Sequence, residues 1–448
     1  MKILFISLGC DKNLVDSEVM LGLLTKNGYT LTDDETQADV IVINTCCFIH
    51  DAKEESINTI LEMAQYKEQN LKALVVTGCL AERYKDEILK EIPEIDAVLG
   101  TTSYDSIVEA VNTALEENTG EHFEHYESID YLPDNSEVER VVTTGNHMAY
   151  LKIAEGCDKR CSYCIIPKIR GRFRSVPMQE LLNEAKRLAS EGVKELVLVA
   201  QETTLYGKDL TGEKQLPLLL HELCKIEGIE WIRLLYCYPE EITDELIEAI
   251  KTEEKVCNYI DMPIQHSENR ILQRMGRRTS REDLVAVIKK LRQEIPDITI
   301  RTTLITGFPG ESEEDHEGLM NFVEECKFDR LGVFTYSPEE DTLAATFEDQ
   351  IDEEVKEARR DELMSLQQEI SYEHTQQLVG KTIKVMVEGY LFEDDIYVGR
   401  SYMDAPKVDG CVFINSPEEL MTGDFVYVKI TQGREYDVIG EVDYEFTK

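Results

Sequence analysis

No stretch of this 448-residue chain approaches the roughly 20 consecutive apolar residues that a membrane-spanning helix requires. A protein without such helices is expected. Cations are also scarce, with 47 Lys and Arg against 89 Asp and Glu and a formal net charge of −42. A molecule so acidic repels phosphate backbones, which disfavours nucleic acid as the main partner and favours basic surfaces. The run Met1 to Leu8 leads directly into Gly9-Cys10-Asp11-Lys12-Asn13 and does not read as a signal peptide. A cytoplasmic protein follows as the expectation, and in a reducing compartment the twelve cysteines are better read as metal or cluster ligands than as disulfides. No solenoid-type repeat is present.

What is there divides into parts, and the length suggests about three domains. Residues 1–116 alternate short apolar runs (Lys2 to Ser7, Val40 to Asn44, Ala73 to Thr77, Ala97 to Leu99) with helical spacing, the pattern of a doubly wound parallel α/β domain. Residues 117–142 hold eight acidic residues and one Arg, as in a solvated linker. Within 143–374, six strand candidates begin near Tyr150, Glu195, Trp231, Tyr259, Ile298 and Leu331, which predicts a partial (β/α)6 TIM-like barrel. Glu353 to His374 reads as one long exposed helix. Residues 376–448 turn to β-branched runs with glycines and predict a small β-barrel.

Cys157, Cys161 and Cys164 lie on one short loop after the first barrel strand, a spacing that lets three thiolates wrap a compact metal centre. A structural zinc would need a fourth ligand, and no Cys or His lies in the following 50 residues. On a four-iron cubane, three thiolates leave one iron open, where the amino and carboxylate groups of S-adenosylmethionine can chelate. Reductive cleavage there yields a 5′-deoxyadenosyl radical. Structural zinc and reduced free thiols are the alternatives. Cys10, Cys46 and Cys79 each follow a strand of the first domain, so a parallel sheet brings them to one edge. A lone cysteine at a strand end is usually a small buried hydrophobe, but three in register point to a second cluster. Cys47 is ambiguous beside Cys46, and Cys224, Cys237, Cys257, Cys326 and Cys411 share no spacing and read as core or free thiols.

The phrases SLGCDKNLVDSE (7–18), VINTC (42–46), VTGC (76–79) and CDKRCSYCIIPKIRGRFRS (157–175) resemble the methylthiotransferases of the radical S-adenosylmethionine superfamily, most of all the RimO branch. One departure is Cys47, where a small residue such as Gly is expected. The resemblance covers nearly the whole chain and implies two 4Fe-4S clusters, S-adenosylmethionine as methyl donor and radical source, and a C-terminal TRAM domain. It also implies an aspartate of small-subunit ribosomal protein twelve as substrate, modified at its β-carbon. Further partners implied are a sulfur donor and an electron donor of flavodoxin or ferredoxin type.

Cofactor contacts are expected at the carboxyl ends of later barrel strands. These are Gln201 and Glu202, Gln265 and His266, and Thr306, Gly307, Phe308 and Pro309, with Gly307 and Gly310 letting the backbone approach a ligand. Gln201 equally suits a loop, His266 a hydrogen-bonded barrel rim, and the glycines a turn. Basic groups at Lys168, Arg170, Arg172 and Arg174 and at Arg274, Arg277, Arg278 and Arg281 suit carboxylate binding or a solvated face. Two other functions share these features. One is a transfer-RNA methylthiotransferase acting on a modified adenosine; the other is a non-catalytic iron-sulfur electron-transfer protein. Residues 378–448 carry seven Lys and Arg against fourteen Asp and Glu, a poor balance for RNA.

Overall fold

The computed structural model describes residues 1–116, 122–136 and 138–445. Its first sheet consists of β1 (Lys2–Ser7), β2 (Thr30–Leu31), β3 (Val40–Thr45), β4 (Ala73–Gly78), β5 (Ala97–Leu99) and β6 (Phe123–His125), in the order β2-β1-β3-β4-β5-β6. All of its pairings are parallel. β3 and β4 are buried along their whole length, as continuous Val/Ile runs covered on both faces require. The two outermost strands, β2 and β6, escaped the sequence reading because they are short, and β6 is polar. β6 also lies inside the stretch expected to be a solvated linker. That expectation is corrected further downstream, where Arg140 is buried and donates to the Tyr150 carbonyl.

The second sheet is six parallel strands, β7 (Met148–Lys152), β10 (Glu195–Val199), β11 (Trp231–Leu234), β12 (Val256–Asp261), β13 (Thr299–Thr306) and β14 (Arg330–Thr335), neighbours in that order. It is the expected partial barrel. A small ladder of β8 (Ala154–Glu155) with β9 (Arg174–Ser175) brackets the first cysteine loop. Alternation along each strand divides the apolar residues between two faces. Ala149, Leu151, Leu196 and Leu198 pack outward in the main core with helices such as Met178–Ser190. Met148, Tyr150, Val197, Val199, Trp231 and Tyr259 form the other cluster, together with Val15 of the helix Asp11–Lys26 and with Met386 and Ala405 from the C-terminal part.

The long helix runs Glu353–Leu378, but it is not simply exposed. Lys356, Arg359, Leu363, Gln367, Ile370, Ser371 and Thr375 are buried along one face. Polar residues hid that face from a hydrophobicity reading: Gln367 donates to the Phe328 carbonyl, and Arg359 pairs with Glu311. The chain ends in a closed barrel of β15 (Thr382–Leu391), β16 (Ile396–Ser401), β17 (Val412–Asn415), β18 (Phe425–Gly433) and β19 (Val438–Val442).

Candidate active site

The carboxyl ends of β1, β3 and β4 open on one edge, and Cys10, Cys46 and Cys79 stand there. Gly9 and Gly78, each immediately before a cysteine, both have a φ of +93°. A Cβ on Gly9 would come within 2.7 Å of the Cys46 Cβ and 3.1 Å of its Sγ, so a glycine is what allows the first and second cysteine loops to touch. Asn13 gathers the set. Its Oδ1 lies 3.7 Å from the Cys10 Sγ and 3.9 Å from the Cys79 Sγ. Its Nδ2 donates to the carbonyls of Leu8 and Thr45, at 3.2 and 2.9 Å, which lead into Gly9-Cys10 and Cys46. Cys47, by contrast, is fully buried in the apolar cluster with Ile43, Val76 and Ile165.

The second thiol set sits on the loop after β8. The loop is tied down by Cys157 N–H donating to the Gly171 carbonyl at 3.1 Å and Ser162 N–H to the Met275 carbonyl at 2.9 Å. Burial pushes the Cys157 thiol up to about 12 and holds those of Cys79 and Cys164 higher still. Such thiols ionise when a metal displaces the proton. Among the described residues no three His, Cys, Asp or Glu side chains gather closely enough around one point for a single metal ion. Three soft thiolates are the donors that an iron-sulfur cluster takes, so both sets fit such clusters by their chemistry.

A buried polar network joins the two edges. Arg170 donates to Asp16 at 2.9 Å, to Glu155 at 3.1 Å and to Asn13 Oδ1. Lys152 is paired with Asp16 and, at 2.9 Å, with Glu155. Gln201 Nε2 donates to the other Glu155 oxygen at 2.7 Å. The line Gln201, Glu155, Arg170, Asn13 therefore runs from the mouth of the barrel to the N-terminal thiols. Of these, Arg170 and Gln201 were singled out from the sequence. Asn13, Asp16, Lys152 and Glu155 were not, although a lysine inside the apolar strand Met148–Lys152 is a signal that a buried partner waits.

The remaining expected contacts fall into two groups. Gln201 Oε1, Glu202 Oε2 and Gln265 Oε1 are buried without a partner among the described residues, as side chains awaiting a polar ligand are. Glu202 is pushed up to about 7 by burial, with Lys159 opposing and Glu241 and Glu240 adding to the rise. Arg277, also buried, keeps two unpartnered N–H groups beside a cavity of about 110 Å³ lined by Lys159, Cys161, Tyr238 and Glu240. His266 is engaged through Nδ1 while its buried Nε2 lacks a hydrogen-bond partner among the described residues, and residues 306–309 are engaged within the fold. His266 Nδ1 accepts from Glu268 N–H at 3.0 Å, and Nε2 lies 3.5 Å from Glu311. Glu311 accepts from the Phe308 N–H at 3.3 Å, and the Pro309 carbonyl accepts from Arg274 at 3.2 Å. A Cβ on Gly307 would meet Lys356 at 2.2 Å, and one on Gly310 would meet Asp349 at 2.4 Å. The space those glycines leave is filled by protein. Most of the basic groups are likewise spent internally, Arg274 on Asp349 and Arg281 on Glu268.

A partial parallel barrel with a three-cysteine loop above its first strand defines a radical S-adenosylmethionine enzyme, and residues 151–323 match the radical SAM superfamily. That class uses a 4Fe-4S cluster and S-adenosylmethionine. Residues 2–100 match the family described as uncharacterized protein family UPF0004, and 379–442 match the TRAM domain. The fold of a radical S-adenosylmethionine methyltransferase, TsrM from Kitasatospora setae with cobalamin and a 4Fe-4S cluster bound, superposes with a TM-score of 0.56 at 14% identity. It covers 85% of this chain and 78% of that one. The ribosomal protein uS12 methylthiotransferase RimO of Lachnoclostridium phytofermentans is 62% identical over 99% of this chain and 100% of its own length. That of Acetivibrio thermocellus is 51% identical over 100% and 99%. The chain belongs to the RimO methylthiotransferase family.

Proposed function

We propose that this protein transfers a methylthio group to the β-carbon of an aspartate in ribosomal protein uS12, using two 4Fe-4S clusters. Cys157, Cys161 and Cys164 hold one, and Cys10, Cys46 and Cys79 hold the other. When bound, the clusters and S-adenosylmethionine supply a radical, a methyl group and a site for sulfur. The observation that carries the reading is the meeting of two three-thiol edges, from two different parallel sheets, across the buried contact of Arg170 with Asn13. Gln201, Glu202 and Gln265 offer their unpartnered oxygens to S-adenosylmethionine at the barrel mouth. Arg170 and Asn13 would fix the N-terminal thiols relative to that mouth, and their network is buried away from water.

The C-terminal barrel, with a net charge of −7 over residues 378–448, favours a basic protein over RNA as the polymer held. No helix among the described residues is long and apolar enough to cross a membrane. The proposed ribosomal substrate is what favours the cytoplasm as the site of the reaction. A sulfur donor and a flavodoxin- or ferredoxin-type reductant complete the partners.

The test is mass spectrometry of uS12 after anaerobic incubation with reconstituted enzyme, S-adenosylmethionine, sulfide and reductant. The methylthio mass is expected on one aspartate, with about eight irons per chain. Replacing Cys157, Cys161 and Cys164 by Ala abolishes cleavage of S-adenosylmethionine. Replacing Cys10, Cys46 and Cys79 spares cleavage and stops sulfur transfer, whereas Cys47→Ala is nearly silent. A methylthio product on transfer RNA alone contradicts the substrate, and only four irons after full reconstitution contradicts the second cluster.

A further inference from the structure

Lys12 stands two residues after Cys10, and its side chain is 7% exposed. Its Nζ lies 3.0 Å from Asp11 Oδ1 and 3.2 Å from the centre of the Tyr236 ring. No second carboxylate or carbonyl among the described residues accepts from it. An ammonium has three N–H groups, and one carboxylate oxygen with one ring face does not fill them. Asp11 Oδ1 is itself shared, accepting the Lys12 backbone N–H at 2.9 Å and the Tyr236 hydroxyl at 3.4 Å.

Tyr236 belongs to the other domain. It follows β11 at the mouth of the barrel with a φ of +60°, a conformation that costs energy for a residue with a side chain. It is held there by its N–H donating to Asp261 at 2.9 Å and its carbonyl accepting from Thr203 N–H at 3.1 Å. The N-terminal domain thus delivers a desolvated ammonium, next to one cluster cysteine, onto a strained tyrosine at the mouth served by the other cluster. Of the neighbouring cations, Arg277 also keeps spare N–H groups, but beside Cys161 of the other thiol set. Arg170 and Lys152 are occupied by Asp16 and Glu155, and Lys159 faces Glu202, Glu240 and Glu241.

We infer that Lys12, backed by Asp11 and Tyr236, binds the side-chain carboxylate of the aspartate to be modified and thereby selects aspartate as the target. This rests on the substrate reading given above. The β-carbon of an aspartate is bonded directly to its carboxylate carbon, so gripping the carboxylate places the reacting atom within one bond of a fixed point. A neutral side chain of the same shape, as in asparagine, forfeits the charge-assisted contact.

The test uses full-length reconstituted protein and two fluorescent uS12 peptides, one with the target aspartate and one with asparagine there. Dissociation constants are read by anisotropy. Wild type should bind the aspartate peptide about tenfold more tightly. Lys12→Met should erase that preference by weakening the aspartate peptide alone, and Lys12→Arg should restore part of it, at unchanged iron content. The wild-type comparison requires no variant, so a folding defect in one does not rescue the idea. Equal binding of the two peptides by wild type, or an undiminished preference in Lys12→Met, overturns the inference while the substrate reading survives if uS12 still gains its methylthio group. If uS12 is neither bound nor modified, the substrate reading fails first and this inference with it.

Discussion

Asn13 is a single amide on which the N-terminal thiol set depends. Its Nδ2 holds two carbonyls, its Oδ1 takes the Arg170 guanidinium, and it is fully buried. Asn13→Ala leaves two buried carbonyls and a buried charge short of partners, at a cost of about 2–4 kcal/mol. The expected outcome is a lower unfolding temperature and loss of iron from about eight toward four per chain, read by calorimetry and iron analysis. Arg170→Lys keeps the charge but not the planar fork, and should retain iron while weakening the coupling of S-adenosylmethionine cleavage to methylthio product. Cys10, Cys46 and Cys79 were legible because each follows an apolar run whose end a parallel sheet fixes, and Cys157, Cys161 and Cys164 because of their spacing on one loop. Asn13 and Glu155 were not, since a lone polar residue has no periodicity to betray it, and the Arg170 they share lies 157 residues from Asn13.

At the scale of the element, the sheet strands announced themselves by Val and Ile runs, and the long helix by its composition. What could not be read was its buried face, because Lys356, Arg359 and Gln367 pack by hydrogen bonding their polar ends rather than by hydrophobicity. That face also packs on the loop 306–309. Gly307 has a φ of +68° and lies under the Lys356 side chain. Gly307→Ala should cost about 1–3 kcal/mol through backbone strain and displacement of the helix. A thermal melt several degrees lower, with the affinity for S-adenosylmethionine unchanged, is the expected outcome. A large loss of affinity with stability intact returns the loop to the cofactor.

Across the whole molecule, the inner face of the partial barrel is where the three parts meet, and it holds charge as well as apolar residues. Glu195 of β10 lies between Arg233 of β11, at 2.8 Å, and Arg400 of β16, at 2.6 Å, and all three are buried. Burial alone raises the Glu195 pKa, but Arg400 and Arg233 overcome this and hold it at about 2. The folded carboxyl is therefore more acidic than the unfolded one. Its contribution, about 3 kcal/mol, is complete above pH 4.5 and is lost as pH falls from there toward 2. Glu195→Gln should be less stable than wild type at neutral pH, and the gap should narrow across that acid window in denaturant titrations. A gap that is constant with pH contradicts the assignment.

The six-stranded barrel never closes on itself, and its inner wall is finished with material from elsewhere in the chain. Val15 and Leu14 of the first helix, together with Met386, Ala405 and Phe425 of the C-terminal barrel, pack on Tyr150, Val199, Trp231 and Tyr259. Evolution and the protease therefore face one object rather than three. A nick in the C-terminal barrel strips cover from Trp231 and releases Glu195 from Arg400, within the same strands whose far ends position the cysteine loop. Removal of residues 379–448 should yield an aggregating remnant rather than a smaller working enzyme, as gel filtration of the truncated chain will show. The C-terminal barrel cannot be exchanged like a cartridge. A descendant with a different target has to alter its surface and leave the buried side in place.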